Sequence, residues 1–197
     1  MASDTQRNFQ AMLRQLGTTY PRVTNLSSKV RGKINSEIKR AAYKAIPDYD
    51  PGTSVIQAQS SYLTTVNKNR VLSLKFEDYF YPEMAAHGVT GVSSITVNLQ
   101  NGHVYRFDEL FRPNSNYPSV LNALIQAQIA ARQIPMLKPF EGVSDDETYY
   151  LTPDSLVIYY PPYVYTPGYV GVLEFTIPYN QIMEIIAPRG PIGMILA

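Results

Sequence analysis

The chain contains no cysteine. That excludes disulfide scaffolds, zinc–thiolate sites, iron–sulfur clusters and cysteine nucleophiles together. It leaves the compartment open, because a domain of this size needs no covalent staple and cannot misoxidise without thiols. Histidine is nearly as scarce. His87 and His103 are the whole supply, they fall in different predicted elements, and neither belongs to an HExxH motif. Also missing are a GxSxG elbow, an SxxK pair, a GxGxxG and a P-loop; Gly88 and Gly91 are too isolated to cradle a phosphate. Nothing in this inventory calls for a cofactor or a structural transition metal.

Excess charge of either sign is absent too. The 17 Lys and Arg residues stand against 16 Asp and Glu, leaving a net charge of +1. Such a balance gives no electrostatic footprint for nucleic acid, and no Lys/Arg-dense amphipathic face suits an anionic membrane. The uncharged stretch closest to membrane-span length, Ser155 to Leu173, is broken by Pro and Gly and is unfit to span a bilayer. The first residues carry no apolar core of a signal peptide, so as written the chain would stay where it is made unless it is a mature fragment.

What is present is a chain of 197 residues, 45% apolar, which fits one globular domain able to bury about 70% of its unfolded surface. It is organised around the stretch from Tyr149 to Tyr179, which holds half of the 16 tyrosines. Two β-prone runs, Leu156 to Tyr160 and Val172 to Ile177, flank a connector, Pro161 to Tyr169, too rich in Pro and Gly to be a helix or a central strand. Tyrosines on a stiffened backbone suit a recognition surface. They suit local packing equally well.

The remaining elements follow from periodicity. Ser3 or Asp4 caps a helix with Phe9, Met12, Leu13 and Leu16 on one face and Gly17 as its stop. Residues 18–23 are β-prone, with Pro21 favouring an edge strand. A second helix runs from Ser27 or Ser28 to about Ala45, with Val30, Ile34, Ile38, Ala41 and Ala45 on its apolar face; Pro47 ends it. Ser54 to Val66 and Arg70 to Phe80 form a hairpin about Asn67-Lys68-Asn69, the second arm half-buried, with Val71, Ser73, Lys75 and Glu77 on one side. After a loop from Pro82 to Gly91, Ser94 to Leu99 and His103 to Phe107 flank Asn101-Gly102, the strongest local hairpin signal in the chain. Asp108 to Phe111 reads as one helical turn. A third helix runs from Ser115 or Asn116 to about Gln133, with Leu121, Leu124, Ile125 and Ile129 toward the core. The Tyr-rich strands, a short helical segment from about Pro178 to Ile186 and a Gly/Pro-interrupted apolar tail close the chain. The order predicts an α+β fold, an antiparallel sheet with helices packed on one face. It divides into a helical extension (1–17), one module (18–186, with parts 18–107 and 108–186) and the tail (187–197).

The candidate ligand-binding residues are Tyr160, Pro161, Pro162, Tyr163, Tyr165 and Tyr169 of the connector, with His87 in a predicted loop. The rings of Tyr149, Tyr159 and Tyr179 read as sheet packing. Acids cluster at Asp145-Asp146-Glu147 and at Asp108-Glu109. Adjacent acids in a turn face water more often than they flank a glycosidic bond, and Asp108-Glu109 reads as the cap of its turn.

The run Leu156 to Tyr163, then Tyr169-Val170-Gly171-Val172 and Phe175 to Tyr179, resembles the C-terminal domain of a bacterial extracytoplasmic family of unknown function. That domain occurs in the lysozyme-binding anti-sigma-V factor and beside some peptidoglycan deacetylase domains. Tyr20-Pro21, Ile34-Asn35, Val71 to Leu74, Ala86-His87-Gly88, Asn101-Gly102 and Asp108 to Phe111 match the spacing of its usual N-terminal partner and the junction between the two. The resemblance implies an α+β fold in a Gram-positive cell envelope, and lysozyme contacts through the segment matching Pro161-Pro162-Tyr163. Three functions follow. The first is a non-catalytic module that binds a lysozyme-like protein or a peptidoglycan-type glycan through the connector. The second is a structural or accessory domain with internal tyrosines, and the third a carboxylate-dependent glycan hydrolase.

Overall fold

The computed structural model describes residues 19–45 and 55–197. The helix expected before Gly17, the stop at Pro47 and the start at Ser54 lie outside these residues. Helix α1 (Ser28–Lys44) buries Ile34, Ile38, Ala41 and Ala42 on one face and turns Lys33 and Arg40 to solvent. This is the three-and-four spacing read from the sequence. Residues 19–23 make no strand. Pro21 cannot donate to a ladder, and the segment is clasped instead by Asn35, whose side chain accepts from the Val23 amide at 2.9 Å and donates to its carbonyl at 3.1 Å.

α1 lies on a three-stranded antiparallel sheet of order β1-β2-β3, formed by β1 (Val55–Lys68), β2 (Val71–Pro82) and β3 (Val89–Asn98). The first hairpin turns at Asn69-Arg70, later than expected. Both residues take positive φ (48° and 69°), which matches the right-handed twist of the flanking strands. Leu72, Leu74 and Phe76 of β2 pack with Ile34, Ile38, Ile95 and Val97 beneath the helix. The opposite side of β2 is not the solvent side that alternation suggests: Val71 and Ser73 are fully buried. A second sheet covers them.

That sheet has the order β4-β5-β6, with β4 (Tyr149–Leu151), β5 (Ser155–Tyr160) and β6 (Leu173–Pro178), again antiparallel. β5 is buried at every position because both its faces are covered. Val157 and Tyr159 meet Tyr150 and Val92 of the first sheet. Leu156, Ile158 and Tyr160, with Phe175 and Ile177, meet helix α2 (Tyr117–Ala131) through Leu121 and Ile125. Leu124 and Ile129 are half-buried at the border of the same cluster. α2 is further tied to β6 by Gln128 Nε2 donating to the Thr176 carbonyl (2.9 Å) and Arg132 Nη1 to the Glu174 carbonyl (2.8 Å). The α+β class with antiparallel pairing holds. The strands divide between two stacked sheets, each with a helix on its outer face.

The two sheets are stitched by hydroxyls. Ser73 Oγ accepts from the Leu151 amide (3.1 Å) and from Thr96 Oγ1 (3.1 Å). Ser94 Oγ donates to the Tyr149 carbonyl and accepts from the Tyr159 hydroxyl (2.9 Å). Lys75 reaches Glu174 at 2.8 Å beside them.

Two other expectations change. The Asn101-Gly102 turn forms, with Gly102 at φ 70° and the Asn98 amide donating to the His103 carbonyl at 2.8 Å, but its second arm shrinks to one bridge, Val97 to Val104. Phe107 and Leu110 dive into the core immediately afterwards and pull the chain off the ladder. The helix expected from Pro178 to Ile186 is a single 3-10 turn, Tyr179–Gln181; Ile186 then bridges Phe111. The tail docks on the body as helix α3 (Pro191–Leu196), burying Ile192 and Ile195.

One buried group opposes this order. Asp78 lies on the helix side of β2, opposite Ser60 and Gly91, and is 1% exposed, with no well-formed hydrogen bond to either carboxyl oxygen among the described residues. Desolvation pushes its pKa up to about 6, offset only in part by the Ser60 hydroxyl. A raised acid favours the protonated fold, so its stability is complete below the ordinary range near 3.8 and falls as pH rises through about 6. Asp78→Asn should raise stability at neutral pH by about 1–2 kcal/mol, allowing for partial solvation, and flatten that decline. Urea titrations at stepped pH measure it; an unchanged pH profile contradicts it. Ser73→Ala leaves the Leu151 amide and the Thr96 hydroxyl without their acceptor, and the same titrations should show a loss of about 2 kcal/mol.

Candidate functional site

The connector begins where β5 must end, because Pro161 and Pro162 cannot donate to a ladder. Tyr163 then takes φ 69°, a left-handed conformation that disfavours a residue with a Cβ by about 1–2 kcal/mol. The turn around it holds that geometry: the Tyr163 amide donates to the Thr166 carbonyl at 3.0 Å, and the Val164 amide to the Pro161 carbonyl at 3.3 Å. Thr166 is fully buried. Pro167 leads into a 3-10 turn, Gly168–Val170, and Gly171 at φ 75° releases the chain toward β6.

This path sorts the connector tyrosines into two pairs. Tyr160 and Tyr165 point inward, each 6% exposed, with ring centroids 4.8 Å apart and edge to face, and Phe140 and Phe175 complete the cluster. Tyr160 shares the inner face of β5 with Leu156 and Ile158, so strand parity alone sends it to the core. Burial pushes its phenol well above the ordinary range and keeps it neutral. Both of these expected ligand-binding residues are thus buried, and in this position they anchor the connector. Tyr163 and Tyr169 point outward, 59% and 82% exposed.

The outward pair forms one wall of a groove of about 660 Å³. The facing wall comes from the turn between β2 and β3, with His87 and Gly88, the start of β3 through Val92, and Lys44 at the end of α1. Tyr163 spans the walls. His87 Nδ1 donates to the Gly88 carbonyl at 3.0 Å, which leaves Nε2, 3.5 Å from the Tyr163 hydroxyl, to accept from it. Each wall also rests a tyrosine on a glycine. A Cβ on Gly168 would sit 2.1 Å from the Tyr163 hydroxyl oxygen, and one on Gly88 would sit 2.2 Å from that of Tyr79.

Among the described residues the lining contributes Lys44 and His87 as its basic groups and no acidic side chain. These residues therefore offer stacking faces, phenolic hydroxyls and positive charge. His103 lies elsewhere, 2.7 Å from Glu109. Glu109 also accepts from the Arg106 amide, and Asp108 pairs with the Arg106 guanidinium, which holds its carboxyl below the usual range. In the other acidic turn, Asp145 accepts from the Tyr117 hydroxyl and Glu147 from the Ser144 amide. Among the described residues no three His, Asp or Glu side chains converge as metal ligands would.

Of the residues singled out in the sequence, the groove brings together His87, Pro161, Pro162, Tyr163 and Tyr169. Sequence reasoning did not reach Lys44, Tyr79, Gly168 or the β3 start. Single glycines near tyrosines were the available trace, but which ring meets which glycine is a long-range contact. Gly168→Ala must displace the Tyr163 ring and detach it from His87, whereas Gly171, with open space around it, should tolerate a side chain except for its positive φ. We expect Gly168→Ala to shift the Tyr163 and His87 ring resonances in NMR spectra and leave those of Tyr160 and Tyr165 in place; unshifted Tyr163 signals contradict this.

Comparison with known proteins places this geometry. Residues 108–180 match the family described as "Protein of unknown function (DUF3298)". The chain is 26% identical over 184 residues to anti-sigma-V factor RsiV of Bacillus subtilis (strain 168), covering 84% of this chain and 63% of that protein. The chain thus spans less than two thirds of that curated relative's length. Among solved structures, a DUF3298 family protein from Pseudomonas aeruginosa PAO1 superposes with a TM-score of 0.61 at 15% identity, covering 82% of this chain and 81% of that one. A member of the same family from Bacteroides fragilis NCTC 9343 gives 0.55 at 17% identity, covering 85% and 67%. These likenesses show the fold: two antiparallel sheets with few helices recur across distant sequences. The second sheet, α2 and the connector all fall within the residues similar to the DUF3298 family.

Proposed function

We propose that this chain is a non-catalytic binding module of the bacterial cell envelope that seats its partner in the groove between the connector and the His87 turn. The observation that carries the reading is the pair of exposed rings, Tyr163 and Tyr169, held over that groove on a backbone fixed by Pro161, Pro162 and Pro167. A frame this constrained loses little entropy when a partner docks. Tyrosine offers an apolar face for a sugar ring or a protein side chain, and a hydroxyl for its polar edge. A lysozyme-like protein or a peptidoglycan-type glycan is the partner proposed. The match to an anti-sigma-V factor supports a module that works through macromolecular recognition. Among the described residues the lining of this groove has no acidic side chain, so they lend the hydrolase reading no support.

Tyr169→Ala removes a ring that contributes little to the core, so the melting temperature should stay within error of the unmutated chain. Calorimetric titration against lysozyme and against soluble peptidoglycan fragments should show affinity for one of them falling by about 2 kcal/mol, roughly thirtyfold. Tyr163→Ala should weaken the same titration. Absence of binding by the unmutated chain to either ligand, or an unaltered affinity in both variants, removes the groove and favours the accessory-domain reading.

A further inference from the structure

Strand β1 stands at the edge of its sheet, and among the described residues its outer backbone groups have no partner. Exposed edges are usually blunted by charge, proline or a bulge that turns the strand away. β1 has no charged residue from Val55 to Asn67 and no proline. Its two irregularities of register fall at Val55/Gln57 and Thr64/Val66, which leaves Gln57 to Thr64 flat and regular against β2. This run is about 27 Å long at the usual rise per residue. It also carries exposed apolar side chains on both faces, Tyr62 (42%) on the helix side and Leu63 (60%) on the other, with Ile56 exposed in the irregularity just before it.

From this edge we infer that β1 pairs antiparallel with β1 of a second copy of the chain, joining the two first sheets into one six-stranded sheet. A two-fold axis normal to the sheet keeps each side chain on its own face, so residues of equal parity stand opposite one another. Centred on Ser60, this register places Ala58 against Tyr62 on the helix side, and Gln57 against Leu63 and Gln59 against Ser61 on the other. Each large side chain meets a small or unbranched one, and no like charges meet anywhere along the run. That neutrality is what self-pairing requires, since a charge off the axis would lie close to its own copy across the seam. α1 leaves room for the neighbour, because it packs on β3 and β2 rather than over β1.

The test is the solution mass by sedimentation equilibrium, from dilute to concentrated protein, for the full chain and for Gln57→Lys/Gln59→Lys. Both substituted positions are exposed and face Tyr81 and Tyr79 across β2, so the melting temperature should not fall. The unmutated chain should double its mass with concentration, and the variant should remain a monomer. A monomer at every concentration overturns the inference. So does a variant that dimerises as well as the parent, since the contact must then lie elsewhere.

Discussion

The groove between the connector and the His87 turn is positioned by the hydroxyl seam between the two sheets. Sheets that stack through apolar side chains alone can slide, because dispersion is non-directional. Here Ser73 and Ser94 bond to the main chain of β4 at Leu151 and Tyr149, so register between the sheets is fixed by directional contacts. Thr96 and Tyr159 tie the same two oxygens back to β3 and β5. The seam is buried, which makes each bond stronger and each missing partner more damaging. It also explains why β2 carries serine at a fully enclosed position where an aliphatic residue would otherwise be expected.

The groove inherits its shape from that register. One wall grows from β5 and β6 and the other from β2, β3 and the end of α1, so their separation is set by the stacking of the sheets. Within the walls, the inward pair Tyr160 and Tyr165 holds the connector down, and the outward pair is what remains for contact. Prolines, a left-handed Tyr163 and two glycines pressed under rings leave that surface few alternative conformations.

Much of this was legible in the sequence, and the reasons differ by element. α1, α2 and the Tyr-rich strands carry their own periodicity, and Ile34, Ile38, Leu121 and Ile125 are buried as that periodicity requires. The second arm of the Asn101-Gly102 hairpin fails because Phe107 and Leu110 gain more from the core than from the ladder. The polar alternation of Val71, Ser73 and Lys75 suggested solvent, whereas those residues face another sheet whose backbone their polar groups satisfy or whose Glu174 they pair with. Local pattern reveals an exposed or a buried face; it does not reveal which distant strand supplies the hydrogen bonds. For the same reason it put Tyr160 with Tyr163, although strand parity separates them, and it could not bring Gly168 and Lys44 to one groove.

The family match ends at residue 108 on its N-terminal side, and the groove does not. One wall lies within the matched residues, while the other is drawn from a hairpin turn and a helix end encoded upstream. Substitutions in the short turn around His87 reshape half of the recess without touching a residue of the 108–180 stretch, so chains alike over that stretch need not share the shape of the groove.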